Sequence, residues 1–188
     1  INIHGNIAGE RFGGEVHVND ELLQFDFTGL ADFSAKNADF QFKAELRNAY
    51  LTQLRLTNLE DSLSNISAKL EADFRGSDID SISGKVLLSD LIYHQDDFSY
   101  RMDSLRIETD QLSSEKYIEI RSDFLDGDIN GDYLLSELGK SLNRTVSQYM
   151  PSLYSDSITC NLQQRLDFDL RLKNTRGLSQ IFLPQLRI

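Results

Sequence analysis

The chain has 188 residues and a mass of 21.4 kDa, with 19 basic against 30 acidic side chains and a net charge of -11. A nucleic-acid partner requires a concentrated basic patch, and this mixed, acidic chain has none, so composition argues against nucleic-acid binding. The single cysteine, Cys160, excludes an internal disulfide framework, and a hydrophobic content of 40% is enough to build one packed unit.

Apolar and polar residues alternate with a period of two along most of the chain, which is typical of strands with one dry and one wet face. We expect about eleven such strands. In chain order, their apolar members are Leu23, Phe25 and Phe27; Phe40, Phe42, Ala44 and Leu46; Ile66, Ala68, Leu70, Ala72 and Phe74; Ile82, Gly84, Val86 and Leu88; Phe98, Tyr100 and Met102; Ile118 and Ile120; Ile129, Gly131 and Tyr133; and Leu162, Leu166, Phe168, Leu170 and Leu172.

Short turn signals separate these segments and predict hairpins. They are Gly13-Gly14, Asn19-Asp20, the segment 75–78 and Asp126-Gly127. Because short returns join neighbouring antiparallel strands, a meander is the simplest topology. The sequence therefore predicts an all-β fold with one extended antiparallel sheet.

Asp-Ser followed by Leu or Ile recurs in the chain, which predicts a local turn between side chain and backbone before a strand. The four aspartates are Asp61, Asp80, Asp103 and Asp156. Their spacing is irregular, so we interpret the recurrence as repeated turn chemistry and not as a solenoid period.

Residues 133–149 break the strand pattern, because Leu134, Leu138 and Leu142 follow the helical period. We predict an amphipathic helix over 133–149 and a second, short helix over 178–183, each ending before a proline. An open sheet with one apolar face needs a cover, so we expect the helix 133–149 to cover or plug that face.

One segment matches the pattern of a calcium loop, with Asp126, Asp128 and Asn130 as oxygen ligands and Glu137 as the distal carboxylate. The alternative is a hairpin in which the segment around Ile129 continues the period-two register, and this alternative is preferred because a strand precedes the match. We expect no bound cofactor.

Other catalytic or metal-binding signatures are absent from the sequence. His4, His17 and His94 are far apart and do not form a zinc-binding motif. The early glycines lack the spacing of a phosphate loop or a dinucleotide fingerprint, and there is no nucleophile elbow. The sequence therefore gives no support for an enzyme.

The second half of the chain resembles a known family. The resemblance rests on four motifs, which are Ser122-Asp123-Phe124-Leu125-Asp126-Gly127, Ile129-Asn130-Gly131-Asp132-Tyr133, Tyr149-Met150-Pro151-Ser152-Leu153 and Leu178-Ser179-Gln180-Ile181-Phe182-Leu183-Pro184-Gln185-Leu186. Together they resemble cell-envelope proteins of the TamB/AsmA type, in the form found in Bacteroidetes. The resemblance covers roughly residues 60–188 and consists of loose hydrophobic patterns.

This resemblance implies a periplasm-spanning protein, anchored in the inner membrane, whose sheet curls into a half-pipe with an apolar inner face. It implies a role in phospholipid transport or outer-membrane protein assembly, with phospholipid acyl chains and an assembly protein of the BamA/TamA type as partners. The chain starts at Ile1 and ends on Leu186-Arg187-Ile188, which resembles the start of another strand. We therefore expect 1–188 to be a single segment of a longer protein whose other regions contact the membrane.

The candidate lipid-groove residues are apolar members of four predicted strands. They are Ile66, Ala68, Leu70, Ala72, Phe74, Val86, Leu88, Ile118, Ile120, Leu166, Phe168, Leu170 and Leu172. A closed β-sandwich that binds a glycan or a protein partner would bury the same alternating residues, so this alternative stays open. The Asp-Ser-Leu and Asp-Ser-Ile tripeptides also resemble an O-glycosylation acceptor, with Ser62, Ser81, Ser104 and Ser157 as candidates.

Overall fold

The fold is one antiparallel sheet of ten strands in a computed structural model, in which residues 1–34, 38–57, 63–112, 115–137 and 165–174 are described. The strands are β1 (Asn2–Ala8), β2 (Arg11–Asn19), β3 (Leu23–Asp32), β4 (Asp39–Tyr50), β5 (Ser64–Arg75), β6 (Ser83–Gln95), β7 (Phe98–Leu112), β8 (Glu115–Ser122), β9 (Leu125–Asp132) and β10 (Arg165–Leu172). The predicted all-β, antiparallel class is therefore confirmed.

The ten strands follow one another across the sheet in chain order, which is the predicted meander. Within the described ranges, close backbone contacts between strands join only neighbours in this order. The sheet is curled but unclosed. The described strands thus form a single sheet, whereas a β-sandwich requires two sheets packed against each other.

Two of the predicted turns are confirmed and two are wrong. Asp20 closes the β2–β3 turn, where its backbone amide donates to the Leu23 carbonyl at 3.0 Å. The loop after Arg75 is likewise a connection between strands. Gly13-Gly14 and Asp126-Gly127 instead lie inside β2 and β9, because each glycine pairs with a residue of the neighbouring strand.

The Asp-Ser tripeptides do not behave alike. At Asp80-Ser81 the predicted turn is present: the Ser81 hydroxyl accepts from the Asp78 amide at 3.2 Å and donates to the Asp78 carbonyl at 3.1 Å. At Asp103-Ser104 the prediction of a turn is wrong, because both residues lie within β7. The aspartate and serine of the other two tripeptides lie outside the described residues.

Cross-strand register assigns the side chains to two faces, since directly opposite residues point to the same side of a sheet. One row across five strands contains Phe27, Ala44, Leu70, Leu88 and Leu105. The next row on the same side contains Phe42, Ala72, Val86, Ile107 and Ile120. We call the side that carries these two rows the apolar face.

The other side, which we call the charged face, carries rows of acidic and basic residues. One row contains Asp73, Lys85, Glu108 and Glu119, and the next contains Lys43 and Glu71. The lysine Nζ and glutamate Oε1 of this second pair are 2.9 Å apart. Opposite charges in facing positions favour this strand register over its alternatives.

Register shifts and strand glycines bend the sheet. Pairing shifts between β4 and β5 at Leu46/Ala49 and between β5 and β6 at Ser67/Lys69. In the second shift β6 has one extra residue, because Asp90 and Leu91 lie opposite Ala68, and Asp90 has a φ of 52°. Bulges of this kind kink a strand and increase its local twist, which accounts for a sheet that curls instead of lying flat.

Burial is concentrated in a few positions because the described strands form only one layer. The buried hydrophobic residues are Val18, Ala31, Ala38, Ala49, Ala72, Met102, Ile118 and Tyr133. Half of them are alanines, and the larger side chains of the apolar face are mostly half-buried. Such a face is still accessible to other molecules or segments.

Only the start of the predicted helix 133–149 falls in the described part of the chain. Helical residues begin at Leu135, two positions later than predicted, and 138–149 lie outside the described residues, as does the second predicted helix, 178–183. The Ser136 amide donates to Asp80 Oδ1 at 3.0 Å and the Ser136 hydroxyl donates to Asp80 Oδ2 at 2.6 Å. Asp80 thus caps this helix start from the β5–β6 loop.

We expect the Asp80 cap to make stability depend on pH. The hydrogen bonds from Ser136 lower the pKa of the Asp80 carboxyl below its ordinary value. A lowered folded-state pKa contributes stability above the unfolded-state pKa, and this stability is lost as the pH falls through the folded-state value. Asp80→Ala should therefore lower the urea midpoint at pH 7, and its effect should shrink as the pH falls below the ordinary aspartate pKa of 3.8.

Ser136→Ala supplies the matched comparison, because it removes the other partner of the same contact. The double variant should lose little more stability than either single variant, since both changes remove one interaction. An effect of Asp80→Ala that is as large at low pH as at pH 7 would contradict this assignment.

Candidate functional site

The thirteen candidate groove residues all lie on the apolar face. Leu70 is directly opposite Leu88, and Ala72 is directly opposite Val86. Ile107 connects Val86 to Ile120, so the same face continues into β8. From there Gly127 and Ile129 carry the register to Leu170 and Phe168 of β10. Residues up to 106 positions apart, from Ile66 to Leu172, thus belong to one surface.

Phenylalanines of β2, β3 and β4 extend this surface, and the candidate set omitted them. The rings of Phe12 and Phe27 have centroids 6.0 Å apart, and those of Phe27 and Phe42 are 5.3 Å apart. Phe40 stacks on Phe74 with centroids 4.8 Å apart. Alternation did mark Phe25, Phe27, Phe40 and Phe42 as strand residues, but the family-like motifs covered only the chain after residue 60.

Glycines bring aromatic side chains close to the backbone of the apolar face. Gly29 is directly opposite Phe42, and Gly84 is directly opposite Phe74. A Cβ atom added at either glycine would lie 2.5 Å from the Cα of its phenylalanine partner. Both positions therefore require glycine, and each lets a large ring pack where a side chain would otherwise stand.

Exposure on the apolar face rises toward β10. Phe168 is 60% exposed, Leu170 49% and Leu172 71%, whereas Ala72 and Ile118 are buried. Large apolar side chains in contact with solvent are informative when they are contiguous, because such patches mark interaction surfaces.

Two depressions formed by described residues lie on the charged face, on the opposite side from the candidate groove. The larger, of about 750 Å³, lies between Gln41, Asp73 and Lys85 on one side and Lys43 and Glu71 on the other. Phe42, Ala72 and Val86 also line it, and since their side chains belong to the apolar face, they contribute backbone to its floor. The smaller, of about 350 Å³, is lined by residues that include Glu45, Lys69 and Arg101.

An ion-pair cluster reinforces the charged face at β8 and β9. Arg121 donates to both carboxylate oxygens of Asp128, at 2.9 and 3.1 Å, and its Nε lies 3.2 Å from Glu119 Oε1. The Tyr117 hydroxyl donates to Glu119 Oε2 at 2.9 Å, and this hydrogen bond, with burial and the charges of Glu119 and Asp128, raises the pKa of Tyr117 to about 12. The phenol stays protonated and serves as a donor.

The calcium candidates are placed in a strand and at a helix start. Asp126, Asp128 and Asn130 lie in the extended strand β9, and Glu137 follows the start of the helix. The Asp126 and Asp128 carboxylates are each paired with a cation, Asp126 with Lys173 Nζ at 2.6 Å and Asp128 with Arg121. The strand through Ile129 and Gly131 in the preferred interpretation is confirmed, but the hairpin turn predicted at Asp126-Gly127 is wrong. The turn lies at Asp123-Phe124, where the Ser122 hydroxyl accepts from the Leu125 amide at 2.9 Å.

The histidines are similarly dispersed. His4 lies on β1, His17 on β2 and His94 on β6, and His17 Nδ1 pairs with Asp26. In the described part of the chain, no group of three or more His, Cys, Asp or Glu side chains is arranged to hold a metal ion.

The described residues contain no helix with the length and apolar character needed to cross a membrane. Comparisons of this chain with protein-family models, with curated proteins and with solved structures find no match.

Proposed function

We propose that this chain is a segment of a cell-envelope protein whose apolar face binds the acyl chains of phospholipids. In this proposal the sheet forms a half-pipe with the apolar face inward, and it acts as a hydrophobic groove for phospholipid transport, outer-membrane protein assembly or both. The parent protein would be periplasmic and anchored in the inner membrane, and an assembly protein of the BamA/TamA type would be its partner.

The observation that carries the proposal is the continuity of one half-exposed apolar surface across a single layer of strands. Neighbouring strands lie about 4.8 Å apart, so ten strands offer a path of about 43 Å. Residues of a packed core are normally not accessible to other molecules. In the described part of this chain, however, no second sheet covers the apolar face.

Energetics favour an acyl chain as the occupant of such a face. Each CH₂ group removed from water contributes about 0.8 kcal/mol, so a chain of about sixteen carbons gains at most about 12 kcal/mol. An open face leaves part of the chain in water and reduces this gain. The reduction suits transport, because a conduit must also release its cargo.

Two adjacent leucines provide a matched test of the proposal. Leu88 lies on the apolar face opposite Leu105, while Leu87 lies on the charged face opposite Arg106, and both are half-buried. We expect Leu88→Asn to weaken the binding of a fluorescently labelled sixteen-carbon fatty acid about tenfold, because it removes apolar contact area. Leu87→Asn should leave the affinity close to that of the unchanged protein.

Urea unfolding of both variants serves as the control for a loss of fold. The proposal fails if Leu88→Asn remains folded and binds the fatty acid as tightly as Leu87→Asn does.

A second candidate function is the binding of a polar partner at the charged face. The depression of about 750 Å³ favours it, because lysine, arginine and carboxylate side chains line it together. In that case substitutions at Leu87 and Arg106, which also line this depression, would weaken partner binding and those at Leu88 would not.

A further inference from the structure

One lysine lies on the apolar face of the sheet. Lys116 is directly opposite Gly131 of β9, which is directly opposite Leu166, a candidate groove residue. Ile118 follows Lys116 on the same side of β8, because side chains two positions apart in a strand share a face. Among the paired strand positions that the structure describes, Lys116 is the only charged side chain on this face. The other charged side chains at these positions lie on the charged face.

Lys116 is also less exposed than the other lysines of the described ranges. It is half-buried, whereas the others are exposed, namely Lys43, Lys69, Lys85 and Lys173. Lys43, Lys69 and Lys173 form ion pairs with carboxylates, at 2.9, 2.9 and 2.6 Å. Lys116 forms no ion pair with any described residue. Partial burial of a cation without a counter-ion costs free energy, so an anionic partner would be favoured at this position.

The groups around the Lys116 ammonium leave its hydrogen-bond donors available. Its Nζ lies 6.0 Å from the centroid of the Tyr133 ring, which attracts a cation but accepts no conventional hydrogen bond. The pKa of the Asp80 carboxyl is lowered chiefly by the hydrogen bonds from Ser136, and the charge of Lys116 adds to this effect. Both Asp80 oxygens accept from Ser136, at 3.0 and 2.6 Å, so Asp80 serves the helix start. The three N–H donors of Lys116 can therefore bind another anion.

A continuous apolar path leads away from Lys116. Ile118 and Ile120 follow it on the same side of β8. Ile107 is directly opposite Ile120, and Val86 is directly opposite Ile107, so the path continues across β7 and β6. A lysine lays its methylene stem on apolar surface and keeps its charged end at the boundary. The arrangement thus joins one cation to a hydrophobic surface.

The occupant that matches this arrangement is an amphiphile with an anionic end. Hydrogen bonds from an ammonium to a phosphate or carboxylate are shorter and stronger than those between neutral groups, and lysine commonly binds phosphate. A phospholipid carries a phosphate and acyl chains in one molecule. A neutral amphiphile would leave the half-buried cation unpaired, and a cationic one would be repelled by it.

We infer that Lys116 binds the phosphate of a phospholipid head group while an acyl chain of the same molecule lies on Ile118, Ile120 and the apolar residues beyond them. The inference rests on the proposed function of the apolar face and adds an orientation to it. The head group lies at the start of β8, beside the β5–β6 loop that carries Asp80, and the acyl chain extends from there over the sheet.

Dodecyl phosphate and dodecanol test this assignment, because they share an alkyl chain and differ in the anionic group. In calorimetric titrations of the whole chain at neutral pH, dodecyl phosphate should bind at least about tenfold more tightly than dodecanol. Lys116→Met keeps an unbranched apolar stem, so the two ligands should bind it about equally. Lys116→Arg should retain most of the preference, since a guanidinium also binds phosphate.

Lys85→Met is the matched control. Lys85 likewise forms no ion pair with a described residue, but it is exposed and lies on the charged face opposite Asp73. Its substitution should leave the preference for dodecyl phosphate unchanged. Urea unfolding of each variant establishes that it remains folded. Inorganic phosphate alone should not displace dodecyl phosphate, because it lacks the alkyl chain that contacts the apolar face.

The two ligands separate a failure of the inference from a failure of the proposed function. Equal binding of both ligands by the unchanged chain, or an undiminished preference in folded Lys116→Met, would overturn the role of Lys116 and leave acyl-chain binding intact. Loss of the preference in Lys85→Met alone would place the anion on the charged face, and displacement by inorganic phosphate would indicate a phosphate site that needs no lipid; either result overturns the inference. If neither ligand binds, the proposed function fails and the inference fails with it.

Discussion

Replacement of Tyr133 by alanine should lower the free energy of unfolding by about 3–5 kcal/mol, as expected for the deletion of a fully buried aromatic side chain. Tyr133 is 2% exposed, the smallest exposed fraction among the buried hydrophobic residues of the described chain. Tyr133 directly follows β9 and precedes the helix that starts at Leu135. Its burial therefore fixes the position of the chain where it leaves the sheet. Urea unfolding monitored by circular dichroism measures the loss.

Tyr133→Phe separates the ring from its hydroxyl group. The Tyr133 hydroxyl is buried and has no hydrogen-bond partner among the described residues, and burial raises the pKa of this phenol. Removal of an unsatisfied buried hydroxyl should leave stability unchanged or raise it by about 1 kcal/mol. A loss of stability in Tyr133→Phe close to that in Tyr133→Ala would mean that the hydroxyl, and not the packed ring, is the stabilising group.

Substitution of Gly29 by alanine should cost at least about 2 kcal/mol, because a left-handed backbone conformation and a steric overlap both oppose a Cβ atom there. Gly29 has a φ of 151°, and an added Cβ would lie 2.3 Å from the Gln41 carbonyl oxygen and 2.6 Å from Phe42 Cβ. β3 and β4 would have to separate, which would also disturb the aromatic row of the apolar face. Denaturant midpoints report the change.

Gly13 is the matched control for this substitution. It lies on the neighbouring strand β2, has no left-handed φ, and an added Cβ would meet no atom within 4 Å. Gly13→Ala should therefore change stability by less than about 0.5 kcal/mol. Equal effects of the two substitutions would contradict the close approach of β3 and β4 at Gly29.

Much of the sheet could be predicted from local patterns, because a period of two reports directly on which side chains share a face. Ile66 to Phe74 alternate without interruption, and the apolar residues of this stretch all lie on one face of β5, although its register with both neighbours shifts near Ala68. Local patterns failed where the deciding contact is distant in sequence. Gly13-Gly14 looks like a turn until its partners across the sheet are known.

The same limit applies to the candidate site. Asp126-Gly127 matched a turn and a calcium loop on composition, yet Asp126 pairs with Lys173, which directly follows β10 and lies 47 residues later in the sequence. The residues of the apolar face could be predicted one by one from the alternation. The larger depression on the charged face could not, because it is lined by side chains of five strands and a local pattern does not determine how these strands pair. The aromatic row from Phe12 to Phe42 similarly depends on three strands meeting.

The most direct test of the account places a photoreactive amino acid on each face in turn and asks which one captures lipid. Ile107 lies on the apolar face between Val86 and Ile120, and its neighbour Arg106 lies on the charged face and lines the larger depression. After irradiation with phospholipid, mass spectrometry should find a phospholipid adduct on the protein labelled at 107 and little or none on the protein labelled at 106. Adducts at 106 without adducts at 107 would contradict the assignment of the apolar face as the lipid-binding surface.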